Sequence, residues 1–445
     1  MRRSIKSFGV FLVAASLVAV WSSAGAMAAT SARGLKGNAS GGALEQIAAK
    51  SPLQGPKGTG LTRGVTSTQI KVGCVTQVAD FPGYAAGIQA RFARANKTGI
   101  NGRKIDLIPC KEDGTSAQTD LQNVQELVSQ NNVFAMLGIS DELTPASTNY
   151  LNNNQVPTIG WFNPGFCTNR WGFSWNGCVL DAALPKGAIA HGSVQGNLAS
   201  TFIKASGMPA SKVRLAVLAE NSPAGAAAIS SYKAAFGAAG AQVVSLINTF
   251  PANYAAGDVT PYVQQVLAAN PNIILFSTSF AGIATLAGSL KAAGYKGIIG
   301  DFETYVPGLL ASSAALAGAL SGEYVNTQIV PQEENTPWTK QEVKDLTAIG
   351  QPAQLSFGAS LGYASAELLV EMLQAAGKNL NTKTFDQAVN GGKFVAFASI
   401  KGGPGKLDWP AAHILASDCA AVLKTVGTGY KVVVPYACYQ STGLF

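Results

Sequence analysis

The chain has 445 residues, 47% of them hydrophobic and 13% charged, which is enough for two domains with a large core. Its net charge of +8 is concentrated near the N-terminus, because residues 1–29 carry three of these charges and residues 30–64 carry a net four. Residues 65–445 therefore have a net charge of only +1, which excludes the basic surface of a nucleic-acid-binding protein.

Residues 1–28 are typical of a secretory signal peptide. A basic start, with Arg2, Arg3 and Lys6, precedes an uncharged apolar run and a group of small residues suited to cleavage. The alternative, an uncleaved membrane anchor, is disfavoured because the apolar run is short for a bilayer. No lipid-anchor cysteine is evident directly after the run, so we predict an exported protein that is periplasmic, at the cell surface or secreted.

Residues 29–64 are rich in Gly, Ser, Pro and Lys and predict a flexible leader. Strand and helix patterns then alternate. The first array has predicted strands at 68–75, 104–110, 133–137 and 156–160, and predicted helices at 84–97, 116–129 and 144–151. This alternation predicts a parallel sheet covered by helices on both faces.

The alternation stops at residues 163–178, a predicted loop near three tryptophans that also fit the packed base of a disulfide-closed loop. A second array follows, with predicted helices at 187–207, 225–239, 260–269 and 283–293, and predicted strands at 213–219, 242–248, 273–277 and 297–300. In open sheets of this kind, ligands bind beyond the carboxyl ends of the strands. Those ends carry hydroxyls, carboxylates and aromatic rings, which suit a small polar ligand.

Six cysteines in an exported chain indicate disulfides, with free buried thiols as the alternative. Several pairings are open, and local order favours Cys74–Cys110, Cys167–Cys178 and Cys419–Cys438. The chain has no Cys-x-x-Cys pair and only two histidines, so we predict neither a metal site nor a cofactor.

The sequence GVTSTQIKVG at 64–73, the helix end NKTGINGRKI at 96–105 and Lys111-Glu112-Asp113 resemble the opening of type I periplasmic binding proteins. More narrowly, they resemble the leucine/isoleucine/valine-binding branch of ABC-transporter substrate-binding proteins. The similarity extends over residues 65–436 and depends on the order and spacing of several short matches.

This resemblance implies an α/β fold of two lobes, each a parallel sheet flanked by helices, with a ligand in the cleft between them. Three crossovers would join the lobes near residues 180–190, 325–332 and 395–410. Residues 65–185 would form the first lobe, with 333–400 returning to it. Residues 186–332 would form the second lobe, with 401–445 returning.

The resemblance also places ligand contacts at the strand ends. Ser140 would bind a carboxylate, Glu303 would hold an amino group, and further contacts would come from Phe162, Asn163 and Ser279. Asp141, Thr144 and Tyr305 lie at the same strand ends and complete the predicted site. Simpler roles remain open for several of them: Ser140 or Asp141 as a helix N-cap, and Glu303 as a solvated loop acid.

Two departures from the family pattern bear on the ligand. Asp141-Glu142 replaces a hydroxyl-rich loop, and Ala224-Gly225 replaces a frequent Tyr-Gly. The acidic pair either points to solvent or opposes an anionic ligand group. We therefore expect a ligand with an amine or a neutral polar group.

The resemblance implies a monomeric, non-enzymatic receptor that closes on a small polar molecule, such as an amino acid, and delivers it to an ABC-transporter membrane permease. The alternative is a ligand-sensing receptor domain that acts through a membrane partner. A secreted serine esterase is a minor alternative, since Gly358-x-Ser360-x-Gly362 is followed by Asp386 or Asp408 and then His413. That motif needs a strand, a sharp turn and a helix, whereas residues 355–375 predict one helix.

Overall fold

The computed structural model describes residues 52–140, 142–161, 163–177, 194–251, 257–415 and 419–438. The predicted signal peptide and the first part of the predicted leader lie outside these residues.

The first sheet consists of strands β1 (Gln69–Thr76), β2 (Lys104–Leu107), β3 (Lys111–Glu112), β4 (Ala135–Ile139), β5 (Thr158–Gly160) and β6 (Gly172–Ser174). Its order is β2-β1-β4-β5-β6, with β3 also on β1, and every pairing is parallel. Helices α1 (Tyr84–Thr98), α2 (Ala117–Ser129) and α3 (Pro145–Asn153) connect the strands. Strand β6 lies inside the predicted loop, where its three residues are too few to show a period.

The second sheet begins with β7 (Arg214–Glu220), β8 (Gln242–Phe250), β9 (Ile273–Ser277), β10 (Ile298–Asp301) and β11 (Tyr324–Thr327), all parallel. The helices of this part are α4 (Val194–Ser206), α5 (Pro223–Ala238), α6 (Thr260–Ala268), α7 (Phe280–Ala292), α8 (Pro307–Ser312) and α9 (Ala314–Ala319). The predicted α/β class, with parallel sheets flanked by helices, is confirmed.

The rest of the chain adds helices to the part built on the first sheet and two strands to the second sheet. Helices α10 (Pro337–Ala348), α11 (Phe357–Ala376) and α12 (Thr382–Asn390) follow β11, and α10 and α11 pack on α1. A ribbon of β12 (Phe394–Ala396) and β13 (Leu407–Trp409) precedes β14 (Cys419–Val426) and β15 (Gly429–Cys438). These last strands add to the second sheet in antiparallel fashion, giving the order β15-β14-β11-β10-β9-β7-β8. We call the part built on the first sheet the first lobe and the part built on the second sheet the second lobe.

Helix α11 forms the centre of the first lobe, and nearly all of its residues are buried. It crosses α1 at very short range: a Cβ on Gly87 would lie 1.8 Å from the Ala359 carbonyl oxygen, and one on Gly362 would lie 2.1 Å from the Tyr84 carbonyl oxygen. Glycine is therefore required at both positions, because backbone atoms occupy the space of a side chain. The Gly-x-Ser-x-Gly pattern thus reflects helix packing.

The predicted flexible leader does not extend to residue 64, because residues 52–64 are hydrogen-bonded to the first lobe. The backbone N–H of Gly58 donates to Asp386 at 2.9 Å, and that of Thr59 donates to Gln155 at 2.9 Å. The Thr382 hydroxyl accepts the N–H groups of both Gly60 and Leu61. Side-chain oxygens thus accept hydrogen bonds from the backbone N–H groups of a segment that has almost no regular secondary structure of its own.

Two predicted disulfides are present. Cys74–Cys110 joins β1 to the segment before β3, and Cys419–Cys438 joins the first residue of β14 to the last of β15. Cys167 is also disulfide-bonded. Its predicted partner, Cys178, lies outside the described residues.

Candidate ligand-binding cleft

The carboxyl ends of the two sheets meet around Asp80, which follows β1. The Asp80 carboxylate faces the backbone N–H of Phe280, the first residue of α7 in the second lobe, which favours its charged form. Burial and, next in size, the negative charge of Glu220 at the end of β7 raise the pKa of Asp80 to about 6. The strand ends of both lobes therefore enclose one cleft, the position expected for a ligand in such sheets.

Carboxylates dominate this cleft. Glu112, Asp113 and Glu142 from the first lobe join Asp80, and Glu220 comes from the second. Burial is the largest cause of a raised pKa in every one of them, and neighbouring carboxylates raise it further in Asp80, Glu112 and Glu142. None takes part in the ion pairs found within the described residues. The cleft is thus electrostatically unsuited to an additional anion.

Ser140, the predicted carboxylate-binding residue, is bound to acidic neighbours. Its hydroxyl donates to Asp113 Oδ2 and accepts the backbone N–H of Glu142 at 2.9 Å. It does not cap α3, whose N-cap is Thr144, and Thr144 makes no side-chain capping bond. Ser140 therefore shapes the loop before α3, and its partner carboxylate makes it a poor receptor for a second one.

Asn163 is buried and occupied by two hydrogen bonds to the chain. Its Nδ2 donates to the Leu143 carbonyl at 2.8 Å, and its Oδ1 accepts the Gly165 N–H at 2.7 Å. Nδ2 thus ties the loop after β5 to the loop before α3, and Oδ1 holds a turn within the loop after β5. The predicted residues Asp141 and Phe162 lie outside the described residues.

An aromatic group adjoins the acidic one. Trp161 has edge or tilted ring contacts with Phe81 at 5.9 Å, Phe302 at 5.6 Å and Phe357 at 5.4 Å between centroids. Its indole N–H donates to Gln328 Oε1 at 3.2 Å. Phe302 comes from the second lobe and the other two phenylalanines from the first, so this group spans both lobes.

The remaining predicted residues are in the second lobe. Ser279 caps α7, and its hydroxyl accepts the Gly282 N–H at 3.4 Å. Glu303 is largely buried, with 8% of its surface exposed. Tyr305 is fully buried, and a direct contact between its side chain and a ligand stays a prediction. Its hydroxyl binds residues of the segment that leads from β11 to α10.

The esterase residues do not form a triad. Ser360 lies inside α11 and donates to Glu342 at 2.6 Å, while His413 Nε2 lies 2.8 Å from Asn390 Oδ1. Burial lowers the pKa of His413 to about 3. Within the described ranges, no group of acidic, His or Cys residues is arranged to hold a metal ion, and no helix meets the length and apolarity needed to cross a membrane.

The prediction missed three cleft residues, Asp80, Asp113 and Glu220, and the aromatic centre Trp161. Each lies at or just after the end of a predicted strand, so its position was available from the sequence. What the sequence did not show is which strand-end side chains turn inward, because that depends on how two distant lobes approach each other.

Two α/β lobes that meet at their strand ends, with the chain passing repeatedly between them, define a two-lobed binding protein. The chain belongs to the periplasmic binding protein family, whose model matches residues 75–429. No curated protein sequence matches the chain.

Solved structures share the fold at low sequence identity. A fatty acid ABC transporter substrate-binding protein from Thermomonospora curvata has a TM-score of 0.69 and 19% identity, with 87% of this chain and 96% of that chain covered. A branched-chain amino acid ABC transporter protein from Thermus thermophilus with bound valine has a TM-score of 0.67 and 16% identity, covering 85% and 98%. A solute binding protein of an R. palustris ABC transporter in complex with benzoate has a TM-score of 0.65 and 15% identity, covering 84% and 99%.

Proposed function

We propose that this chain is the extracytoplasmic substrate-binding protein of an ABC importer. It binds a small molecule in the cleft and delivers it to a membrane permease. Its family membership and its fold similarity to ABC-transporter binding proteins support this role. The mechanism is hinge closure, in which contacts from both lobes make the bound state more stable closed than open.

The ligand we propose carries an amine or a neutral polar group on an apolar body. The observation behind this choice is that Asp80 and Glu220 approach from opposite lobes, with no ion pair to either one among the described residues. A ligand amine between them would turn repulsion into attraction, while a ligand carboxylate would add to the repulsion. The ring group around Trp161 offers an apolar surface, and aromatic faces also attract cations.

A thermal-shift panel of matched compounds tests this ligand class. Benzylamine, benzamide and benzoate share one ring, and valinamide and valine share one side chain. We expect the amines and amides to raise the melting temperature by mass action, and the acid lacking an amine, benzoate, to leave it unchanged.

Glu220→Gln is the matched variant, because it removes one charge from the cleft with little change in size. It should weaken binding of the amines relative to the amides. A shift with benzoate alone would contradict the ligand class, and a panel without any shift would contradict binding of small molecules of these types.

A further inference from the structure

Residues 302–306 connect β10 to α8 and form one wall of the proposed cleft. We call them the β10–α8 loop. The loop has almost no regular secondary structure, yet hydrogen bonds fix it to three different parts of the molecule.

The first attachment is to the second lobe. Asp301 Oδ1 accepts the N–H groups of Glu303 and Thr304, at 2.6 and 2.7 Å. Asp301 Oδ2 accepts the Thr304 hydroxyl at 2.7 Å. The Tyr430 hydroxyl donates to the Thr304 carbonyl and accepts the Val306 N–H at 3.0 Å. The loop therefore moves with β10 and β15.

The second attachment is to the segment between the lobes. The Tyr305 hydroxyl donates to Glu333 Oε2 at 3.0 Å and accepts the Gln332 N–H at 2.8 Å. These partners lie where the chain leaves β11 and enters the first lobe at α10. Any rotation of the lobes must change the backbone in this segment, because it is one of the connections between them.

The third attachment is to the first lobe. The Phe357 N–H donates to the Tyr305 carbonyl at 2.6 Å, and the Gly308 N–H donates to the Leu355 carbonyl at 3.1 Å. A Cβ on Gly308 would lie 2.2 Å from the Ala353 carbonyl oxygen, so the approach depends on glycine at this position. Two lobes are thus joined by backbone bonds next to the cleft.

We propose that Tyr305 is a positioning residue that couples the β10–α8 loop to the interlobe segment, so that filling the cleft and closing the lobes are one event. The inference rests on the proposed function in assuming that the lobes close. A loop bonded only to its own lobe would leave the segment free when a ligand arrived. With the Tyr305 hydroxyl in place, an ordered loop also holds Gln332 and Glu333 in the arrangement found here.

A ligand-free measurement tests the coupling independently of ligand identity. Dyes on cysteines replacing Lys97 of the first lobe and Lys233 of the second, both exposed, report the interlobe distance by single-molecule energy transfer. Tyr305→Phe keeps the ring contact with Tyr430 and removes both hydroxyl bonds. We expect the closed population to fall about fivefold or more, because about fivefold is the usual effect of one lost hydrogen bond and this variant loses two.

Tyr363→Phe is the matched control, because its buried hydroxyl also donates to a carboxylate, Asp345, but both residues belong to the first lobe. It should lower stability without changing the distance distribution. Glu333→Gln retains an acceptor for Tyr305 and should behave as wild type. Equal distributions for Tyr305→Phe and the unmodified protein would overturn the proposal.

A second pair of variants tests the third attachment. Gly308→Ala should shift the population toward open lobes, because its methyl group meets the Ala353 carbonyl. Gly318→Ala, on nearby α9 with no atom within 4 Å of the added carbon, should leave the distances unchanged. If both variants leave the distribution unaltered, the loop does not control closure, whatever the ligand proves to be.

Discussion

The two lobes differ in the surroundings of their buried acidic side chains. All five ion pairs in the described part of the chain belong to the first lobe, including a buried group in which Glu367 binds both Arg91 and Arg94. In the second lobe, the buried acids Asp301 and Glu323 take no part in these five ion pairs, and burial raises the pKa of both. The first lobe thus holds part of its buried charge in ion pairs, whereas burial of Asp301 and Glu323 in the second lobe favours their protonated carboxyls.

The helices of the two lobes also differ in the surroundings of their glycines. The first lobe uses glycine to bring α1 and α11 into backbone contact. Helices α5 and α7 of the second lobe also contain glycines, but Gly237 and Gly288 face open space. Glycine is therefore a packing requirement where α1 crosses α11 and is dispensable at Gly237 and Gly288.

The largest predicted effect tests this difference in glycine use. Gly87→Ala should lower the free energy of unfolding by about 3 kcal/mol, because the added methyl group meets a backbone carbonyl that cannot move aside alone. Gly237→Ala should be neutral or stabilise by about 0.5–1 kcal/mol, since alanine favours a helix. Urea unfolding measures both, and equal effects would contradict the comparison.

The second prediction concerns the buried charges. Arg91→Met should cost about 2 kcal/mol, less than a fully broken buried pair because Glu367 keeps Arg94. Glu323→Gln in the second lobe should leave stability unchanged or raise it at pH 8, since it removes a carboxyl whose pKa burial raises well above normal.

Chemical denaturation of both variants at pH 8 measures these changes in stability. A loss of stability in Glu323→Gln as large as that in Arg91→Met would show that the second lobe also depends on a paired charge, with Lys291 as its partner.

The sequence predicted the α/β class and the strands of both arrays, because buried parallel strands and helical periods are local signals. It did not predict β6, a strand of three residues at the edge of the sheet that pairs with β5. For the site it listed side chains at the strand ends, but it did not show that Tyr305 is buried with its hydroxyl bonded to Glu333. The sequence shows where a strand ends, but the direction of a side chain at that end depends on contacts with residues far away in sequence.

The third prediction is a dependence of stability on pH. Burial raises the pKa of five acids well above their ordinary values, to about 6 for Asp80 and Asp301 and about 7 for Asp120, Glu342 and Glu371. The folded state thus holds more protons than the unfolded state between about pH 4 and pH 7, so stability falls as the pH rises through that range.

His413 acts in the opposite direction, since its pKa is lowered to about 3 and its stabilising contribution grows up to about pH 6.5. Because the five acids together outweigh His413, we expect the melting temperature to be lower at pH 7.5 than at pH 5.5. Glu342→Gln should reduce the slope, and a melting temperature that rises steadily to pH 7.5 would contradict the assignment.

The smallest predicted effect compares two helix caps, one in each lobe. The Ser279 hydroxyl accepts the Gly282 N–H of α7 at 3.4 Å, and the Ser116 hydroxyl accepts the Thr119 N–H of α2 at 3.3 Å. Each Ser→Ala change should cost about 0.5–1 kcal/mol, at the lower end for a lost cap because both bonds are long.

Only Ser279 is a predicted ligand contact, so the pair separates capping from binding. If Ser279 is a cap alone, both variants lose the same stability and keep the same thermal shift with an amine such as benzylamine. If it also contacts the ligand, the shift decreases for Ser279→Ala and stays unchanged for Ser116→Ala, and Ser279→Asp, which retains a cap, does not restore it.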